Sequence, residues 1–566
     1  MYRMKRDINK LSTLEFDILI VGGGSHGAAV AYEAASWGFI TALIEQKDFL
    51  QATSSNSLKI IHGGLRYLQH LNFKRMRESI KARRDMMSIA PHLVKPLPCL
   101  MPTYGHGLKG KEVMYIALFV NDLIAWDQNH EIEKEWCLKK GKILSKESCL
   151  RYLPNIRKDG VNGAALWHDA IAVNTEKLSL HFIIKAVERG ALVANYVQAE
   201  ELIIQKNSVK GARAKDIMTG DTFDIKAKMV VNAGGPWMEN LLHSPGIKKK
   251  SVQCWAKAVN IIVKKSLFNG YAVGLEGSRE YMDMDAVLKR GKRLIFFVPW
   301  RGYTIIGTSY KEFKGKPDQL RVEKEDIREL IEEANNIYPA GKLTFYDVTF
   351  FHYGLVPMIT SDTNMSCNVQ LDKHSTVVDH EKHENIKGLL TIKSVKYTTA
   401  PQTAKEVMSL IKKKKMFLKL KSFDSYNTID RNNYIFQAQY KPKKINNGGK
   451  FDILKHLKSN YGDYCDELLD CIEKDESLAS LVSYNPPLTV VEILYAIREE
   501  MALKLADIVF RRTELGTAEC PPQDVLHHVA NIMAEELWWD EKRKTNEIKE
   551  VLDRYAPLSI ENKLTS

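Results

Sequence analysis

The chain has 566 residues, 82 Lys+Arg against 69 Asp+Glu for a net charge of +13, and 45% hydrophobic residues. This balance excludes a disordered, collagen-like or disulfide-stapled chain, and the length leaves room for about two to four structural units. The eight cysteines form no CxxC pair, so the sequence offers no metal-ligand spacing and predicts a reducing compartment.

The start, Met1-Tyr2-Arg3-Met4-Lys5-Arg6, is basic but no apolar signal region follows it, which predicts a cytoplasmic chain. Phe16–Val21 reads as a strand ending at Gly22-Gly23-Gly24. An Ala-rich helix follows over Ala28–Trp37, then a second apolar run over Ile40–Ile44. Between them Gly22-Gly23-Gly24-Ser25-His26-Gly27 fits G-x-G-x-x-G. Gly22 permits the tight turn, Gly24 lets a pyrophosphate approach, and Gly27 lets helix and strand pack. The N-terminus of the helix that follows presents unpaired N–H groups to phosphate. Glu45 ends the second strand, where a carboxylate accepts from a ribose hydroxyl. The ligand is an adenine dinucleotide, FAD or NAD(H).

The hydroxyl-rich Ala52-Thr53-Ser54-Ser55-Asn56-Ser57 comes next, then His62-Gly63-Gly64-Leu65-Arg66-Tyr67. Both read as loops at strand ends, where α/β folds place ligands. The longest apolar stretch, Met114–Trp126, is cut by Asn121-Asp122 and is too short to span a bilayer. Short β-rich runs at Leu192–Tyr196, Met229–Asn232, Val259–Val263, Leu294–Val298 and Tyr303–Ile306 predict a mixed sheet forming a substrate domain. Within them Val231-Asn232-Ala233-Gly234-Gly235-Pro236-Trp237 is a strand entering a glycine turn.

Ile411–Lys450 holds 11 Lys+Arg against 2 Asp+Glu, a net +9 that leaves +4 for the rest of the chain. It reads as a basic linker, solvated or touching anionic lipid. No nucleic-acid motif accompanies the lysines, so nucleic acid is not expected as a partner. Residues 451–555 carry helical spacing, as in Val491, Leu494, Tyr495 and Ile497, and predict a helical C-terminal domain.

Ala52 to Leu68, Ala90-Pro91-His92-Leu93, Val231 to Trp237, Phe297-Val298-Pro299-Trp300, Ile306-Gly307-Thr308, Glu500-Met501-Ala502 and Phe510-Arg511-Arg512-Thr513 together resemble the FAD-dependent glycerol-3-phosphate dehydrogenases of the D-amino-acid-oxidase-like superfamily. The resemblance covers roughly residues 15–540. It implies an α/β fold: a Rossmann-like FAD-binding domain, a mixed-sheet substrate domain and an all-helical C-terminal cap. The FAD-binding parts fall at about 15–100, 155–240 and 345–410 of an oxidoreductase unit over 15–410. The substrate domain falls at about 100–155 and 240–345, the linker at 411–450 and the cap at 451–555.

It further implies noncovalent FAD and oxidation of a secondary alcohol, with hydride passing to flavin N5 and electrons to a quinone. The chain would then lie on the cytoplasmic face of a membrane, with room for a homodimer. By position, the FAD residues are Gly22, Gly24, Ser25, His26, Gly27, Glu45, Gln46, Thr53, Ser54, Ser55, Ser57, His62, Gly63, Gly64, Val197, Ala233, Gly234, Trp237, Gly354, Lys396, Tyr397 and Thr398. Arg66, Lys396 and His62 are the catalytic candidates, and Arg66, Tyr67, His352, Val356 and Lys373 the substrate-side ones.

The chain departs from the family pattern where a Gly-x-Arg-Pro motif reads Gly354-Leu355-Val356-Pro357, so a phosphate-binding Arg has become Val356. A second family Arg aligns with Lys373, which lacks the bidentate fork. Near Lys396, Ser394-Val395-Lys396-Tyr397-Thr398-Thr399-Ala400-Pro401 loses the family's glycines and final Arg. These losses make another polyol, a polyol phosphate or a hydroxy acid the alternative substrate. An oxygen-using oxidase and a flavin-binding protein without turnover are the alternative functions.

Overall fold

The computed structural model describes residues 4–107, 110–247, 253–281, 291–359, 369–414 and 451–559. Apolar runs buried on both faces make the strands of a parallel sheet. Phe16, Ile18, Leu19 and Ile20 are fully buried in Glu15–Val21. This central strand pairs in parallel with Thr41–Ile44 on one side and Thr222–Asn232 on the other. Leu192–Ala194 and Leu389–Lys393 extend the parallel run outward, and Thr376–Asp379 closes one edge antiparallel. The helices Ser25–Ser36, Thr175–Glu188 and Ala400–Lys413 share one apolar core with the sheet. The hairpin Val197–Gln205 and Ser208–Asp216, paired onto Thr222–Asn232, joins a second core with it.

The second sheet has nine strands and is antiparallel except where Ala272–Glu280 pairs with Val94–Tyr104. Val161–Ala172 and Val348–Met358, taken from sequence with the FAD-binding parts, pair into this sheet. Leu192–Ala194 and Thr222–Asn232, taken with the substrate sheet, belong instead to the parallel one. A short apolar run does not reveal which sheet it will join, because both sheets bury it equally.

The C-terminal region is helical apart from a small hairpin of Leu481–Tyr484 and Pro487–Thr489. It is pinned to the parallel sheet by buried charge. Asp48, in the loop after Thr41–Ile44, accepts from Arg511 Nε at 2.6 Å and from Arg512 Nη1 and Nη2 at 2.8 Å each. Burial works against ionising Asp48, but Arg512 and Arg511 more than offset it and hold the carboxyl below its usual range.

The helix Ala400–Lys413 runs into the segment expected as linker. Lys414, its C-cap, gives its ammonium to Asp379 at 2.8 Å and Glu381 at 2.7 Å, so that lysine is tied down. Residues 415–450 of the linker lie outside the described residues. No helix is long and apolar enough to cross a membrane among the described residues.

Candidate active site

A cavity of about 470 Å³ opens at the C-terminal ends of the parallel strands, within the size range of cofactor sites. Glycines shape its floor. Gly22 has φ +108°, and a Cβ there would lie 2.5 Å from the Ala233 carbonyl oxygen. A Cβ on Gly27 would overlap the Gly22 carbonyl oxygen, so only glycine lets the helix Ser25–Ser36 come this close. Glu45 is held by two backbone donors, Gly23 N–H at 2.7 Å and Lys47 N–H at 3.0 Å. Burial raises its pKa, which favours a hydroxyl-bearing partner over a phosphate beside it. Ser54 Oγ accepts from Ser25 N–H at 2.9 Å, bringing the hydroxyl-rich loop over the helix N-terminus.

Of the sequence-predicted residues, Gly22, Gly24, Ser25, His26, Glu45, Gln46, Thr53, Ser54, Ser55, Val197, Ala233, Gly234, Trp237, His352, Gly354, Val356, Lys396 and Tyr397 line this cavity, and Gly27 and Ser57 do not. His26 is buried and its pKa falls to about 4, so its ring is neutral. Gly354 packs on Thr53, whose atoms lie 2.9 Å from where a Cβ would stand. His352 Nδ1 is 2.9 Å from the Ser57 carbonyl, which fixes the protonated nitrogen. Tyr397 lines the wall but spends its hydroxyl on Ser179 at 2.6 Å and the Thr175 carbonyl at 2.8 Å. Thr398 is buried under the start of the helix Ala400–Lys413.

The glycine loop His62–Gly64 does not line the cavity. It lies behind Lys396, braced from the second sheet: Gly63 N–H donates to Asp169 Oδ1 at 2.6 Å, and Asp169 also takes Arg83 at 2.5 Å. His62 is pushed down to about 3 by burial and then by the Lys396 cation. That makes it a weak base. Lys396 acts on it electrostatically. Its Nζ, on the cavity wall, lies 2.6 Å from Tyr67 Oη. Burial and the charges of Arg66, Arg75 and Lys373 lower it to about 7. Tyr67 is buried, which raises its phenol pKa and keeps the hydroxyl protonated. Arg66 is exposed and lies off the cavity. Lys373 reaches His70, Nζ to Nε2 3.3 Å.

Sequence reasoning did not place Phe510, Arg511 and Arg554 at the site, and these bring the C-terminal region onto the same cavity wall. Phe510 and Arg511 were marked only as part of the C-terminal resemblance, and nothing local signalled Arg554. The residues present fit a dinucleotide. A cradle that side chains would fill faces a helix N-terminus, with a fixed carboxylate at one end and a cationic amine at the other.

Comparison with known proteins agrees. Residues 17–409 match the FAD dependent oxidoreductase family, and residues 430–544 match the C-terminal domain of alpha-glycerophosphate oxidase. The chain is 30% identical over 562 residues to the mitochondrial glycerol-3-phosphate dehydrogenase of Mus musculus, covering 95% of this chain and 73% of that one. It is 29% identical over 575 residues to the aerobic glycerol-3-phosphate dehydrogenase of Staphylococcus epidermidis, covering 97% of each. The glycerol-3-phosphate dehydrogenase of Bacillus halodurans, solved with FAD, shares the fold over the full length of both chains, with TM-score 0.71 at 24% identity. The chain therefore belongs to the FAD-dependent oxidoreductases and, within them, to the FAD-dependent glycerol-3-phosphate dehydrogenase family.

Proposed function

We propose that the chain oxidises sn-glycerol 3-phosphate to dihydroxyacetone phosphate and passes the electrons to a quinone. The observation that carries this reading is the cationic group beside the cavity, where Lys396 and Tyr67 meet among Arg66, Arg75 and Lys373. A site for a neutral polyol has no use for so many positive charges; a phosphorylated one does. FAD bound in this cavity supplies the two-electron acceptor for the carbinol hydride.

The chain's own residues handle the proton and the orientation. At neutral pH a large share of Lys396 is the free amine, whose Nζ takes the hydroxyl proton as the ketone forms. The Tyr67 hydroxyl holds that nitrogen in place. His352, neutral because burial holds it well below its usual value, closes the wall without adding charge. Val356 makes the neighbouring wall apolar, so the phosphate is taken by other residues than the family's Gly-x-Arg-Pro arginine.

A membrane contact for the acceptor is supported by the helix Lys111–Ile124. Its outer face and C-terminal continuation leave Tyr115, Ile116, Phe119, Leu123 and Trp126 exposed, Trp126 by 79%. Ala117, Val120 and Ile124 pack against the core that holds Tyr67 and Leu68. An apolar face of this kind, backed onto the substrate loop, suits the headgroup boundary of a bilayer where a quinone is dissolved.

The test is anaerobic: glycerol 3-phosphate should bleach the flavin band, and glycerol should do so poorly. A flavin left oxidised by glycerol 3-phosphate but bleached by another polyol, sugar phosphate or hydroxy acid overturns the substrate. In air, stoichiometric hydrogen peroxide formed at steady state without added acceptor overturns the quinone.

A further inference from the structure

We propose that Arg75, whose guanidinium is hydrogen-bonded to the Lys373 carbonyl next to the cavity, is the phosphate-gripping and specificity-determining residue of this chain. This rests on the reading above that the substrate carries a phosphate.

Arg75 lies in the first turn of the helix Phe73–Ile89, its N–H capped by Asn72 Oδ1 at 3.2 Å. Its Nη1 donates to the Lys373 carbonyl at 2.6 Å. The adjoining Asp372 N–H donates to the Pro357 carbonyl at 2.9 Å, next to Val356 on the cavity wall. This chain of bonds ties the guanidinium to the corner of the site where the strand Val348–Met358 presents an apolar residue.

The other arginines of the same helix give the contrast. Arg77 and Arg84 both pair with Asp127, and Arg83 pairs with Asp169. Arg75 is held by a carbonyl, which orients a guanidinium without neutralising it. Glu78 and Asp372 act on it electrostatically, yet among the described residues neither comes within ion-pair distance. Arg75 acts together with Arg66 and Lys373 on the Lys396 amine, so its positive charge is felt at the cavity wall. Arg75 is half-buried, whereas Arg66 is exposed to water. Anchored at one nitrogen, Arg75 keeps its remaining N–H groups for a two-point contact with phosphate oxygens, which a lysine cannot make.

FAD-loaded wild type, Arg75→Met and Arg75→Gln are compared by anaerobic flavin reduction. Gln keeps an amide donor for the Lys373 carbonyl but no charge, so it separates phosphate binding from loop support. Both variants should raise the half-saturating glycerol 3-phosphate concentration about 10- to 100-fold. Measured above pH 8, where Lys396 is already the free amine, the limiting reduction rate should change less than about threefold. Arg75→Lys should recover part of the loss. Inorganic phosphate, as a competitor, should weaken in parallel. If Arg75→Gln keeps the wild-type half-saturation, Arg75 is not the grip, while reduction of wild type by glycerol 3-phosphate leaves the substrate reading intact. If wild type is not reduced by glycerol 3-phosphate but its flavin spectrum shifts with phosphate and the shift is lost in Arg75→Gln, the substrate reading fails and the anion grip stands.

Discussion

A proton acceptor with a pKa near neutrality leaves a distinctive pH signature. Lys396 is lowered from 10.5 to about 7, first by burial and then by Arg66, Arg75 and Lys373. The second-order rate of flavin reduction reports the free enzyme, which is the state described here. The substrate's own phosphate ionises near pH 6, so the informative range starts above that. With a pKa of about 7, the neutral fraction of the amine is about 0.24 at pH 6.5 and about 0.97 at pH 8.5. The rate should therefore rise about fourfold over this range and then level off. An ordinary lysine near 10.4 would raise it about 100-fold over the same two units with no plateau. Stopped-flow reduction under anaerobic conditions distinguishes these. Lys396→Met should slow the limiting rate by about 10²–10⁴ and abolish the inflection. A flat profile in wild type, or an unchanged inflection in Lys396→Met, refutes Lys396 as the acceptor. The same shift has a stability sign. Between about pH 7 and 10.5 the unfolded chain holds a proton that the folded amine has lost, so this site adds stability as pH rises through that window.

Three more expectations can be checked separately. Gly27→Ala puts a methyl group against the Gly22 carbonyl oxygen and should give protein purified without FAD; retained flavin would show that helix and strand can part there. Asp48→Ala leaves Arg512 buried without a carboxylate partner, while Arg511 keeps Asp507, which should lower stability by about 3–5 kcal/mol in urea unfolding. An unchanged midpoint would mean that Arg512 finds water. Phe119→Glu with Trp126→Glu should reduce cosedimentation with anionic vesicles without altering flavin reduction by glycerol 3-phosphate. Undiminished binding would move the membrane contact away from the helix Lys111–Ile124.

The cofactor half of the site was legible in the sequence because its chemistry is local. Gly22, Gly24, Gly27 and Glu45 lie within one strand–helix–strand unit, and each acts through backbone geometry that its neighbours in sequence determine. The hydroxyl-rich loop follows directly and folds back on the same helix through Ser54 and Ser25. The resemblance extended this to residues far along the chain, such as Val197, Gly354 and Lys396, which periodicity alone does not connect. Sheet membership was less legible. Val161–Ala172 and Val348–Met358 fell within the ranges assigned to the FAD-binding parts, and only long-range pairing sends them to the second sheet.

The substrate half was legible only as a set of losses. Val356 marks a missing charge, but the sequence gives no measure of what replaces it, because electrostatic neighbours are set by three-dimensional distance. His62 looked like a base from its place in a glycine loop. Its burial beside Lys396, Arg83 and Arg66 makes protonation costly, and the same cations lower Lys396 into the working range. One positive cluster thus disables one base and enables another. It also prepares the site for an anion: a bound phosphate would raise the Lys396 pKa again, so proton uptake by that amine becomes more favourable once a phosphorylated substrate is in place. A neutral polyol would bring no such gain. Discrimination between glycerol 3-phosphate and glycerol then lies in the proton-transfer step as well as in binding, and the cations act on both.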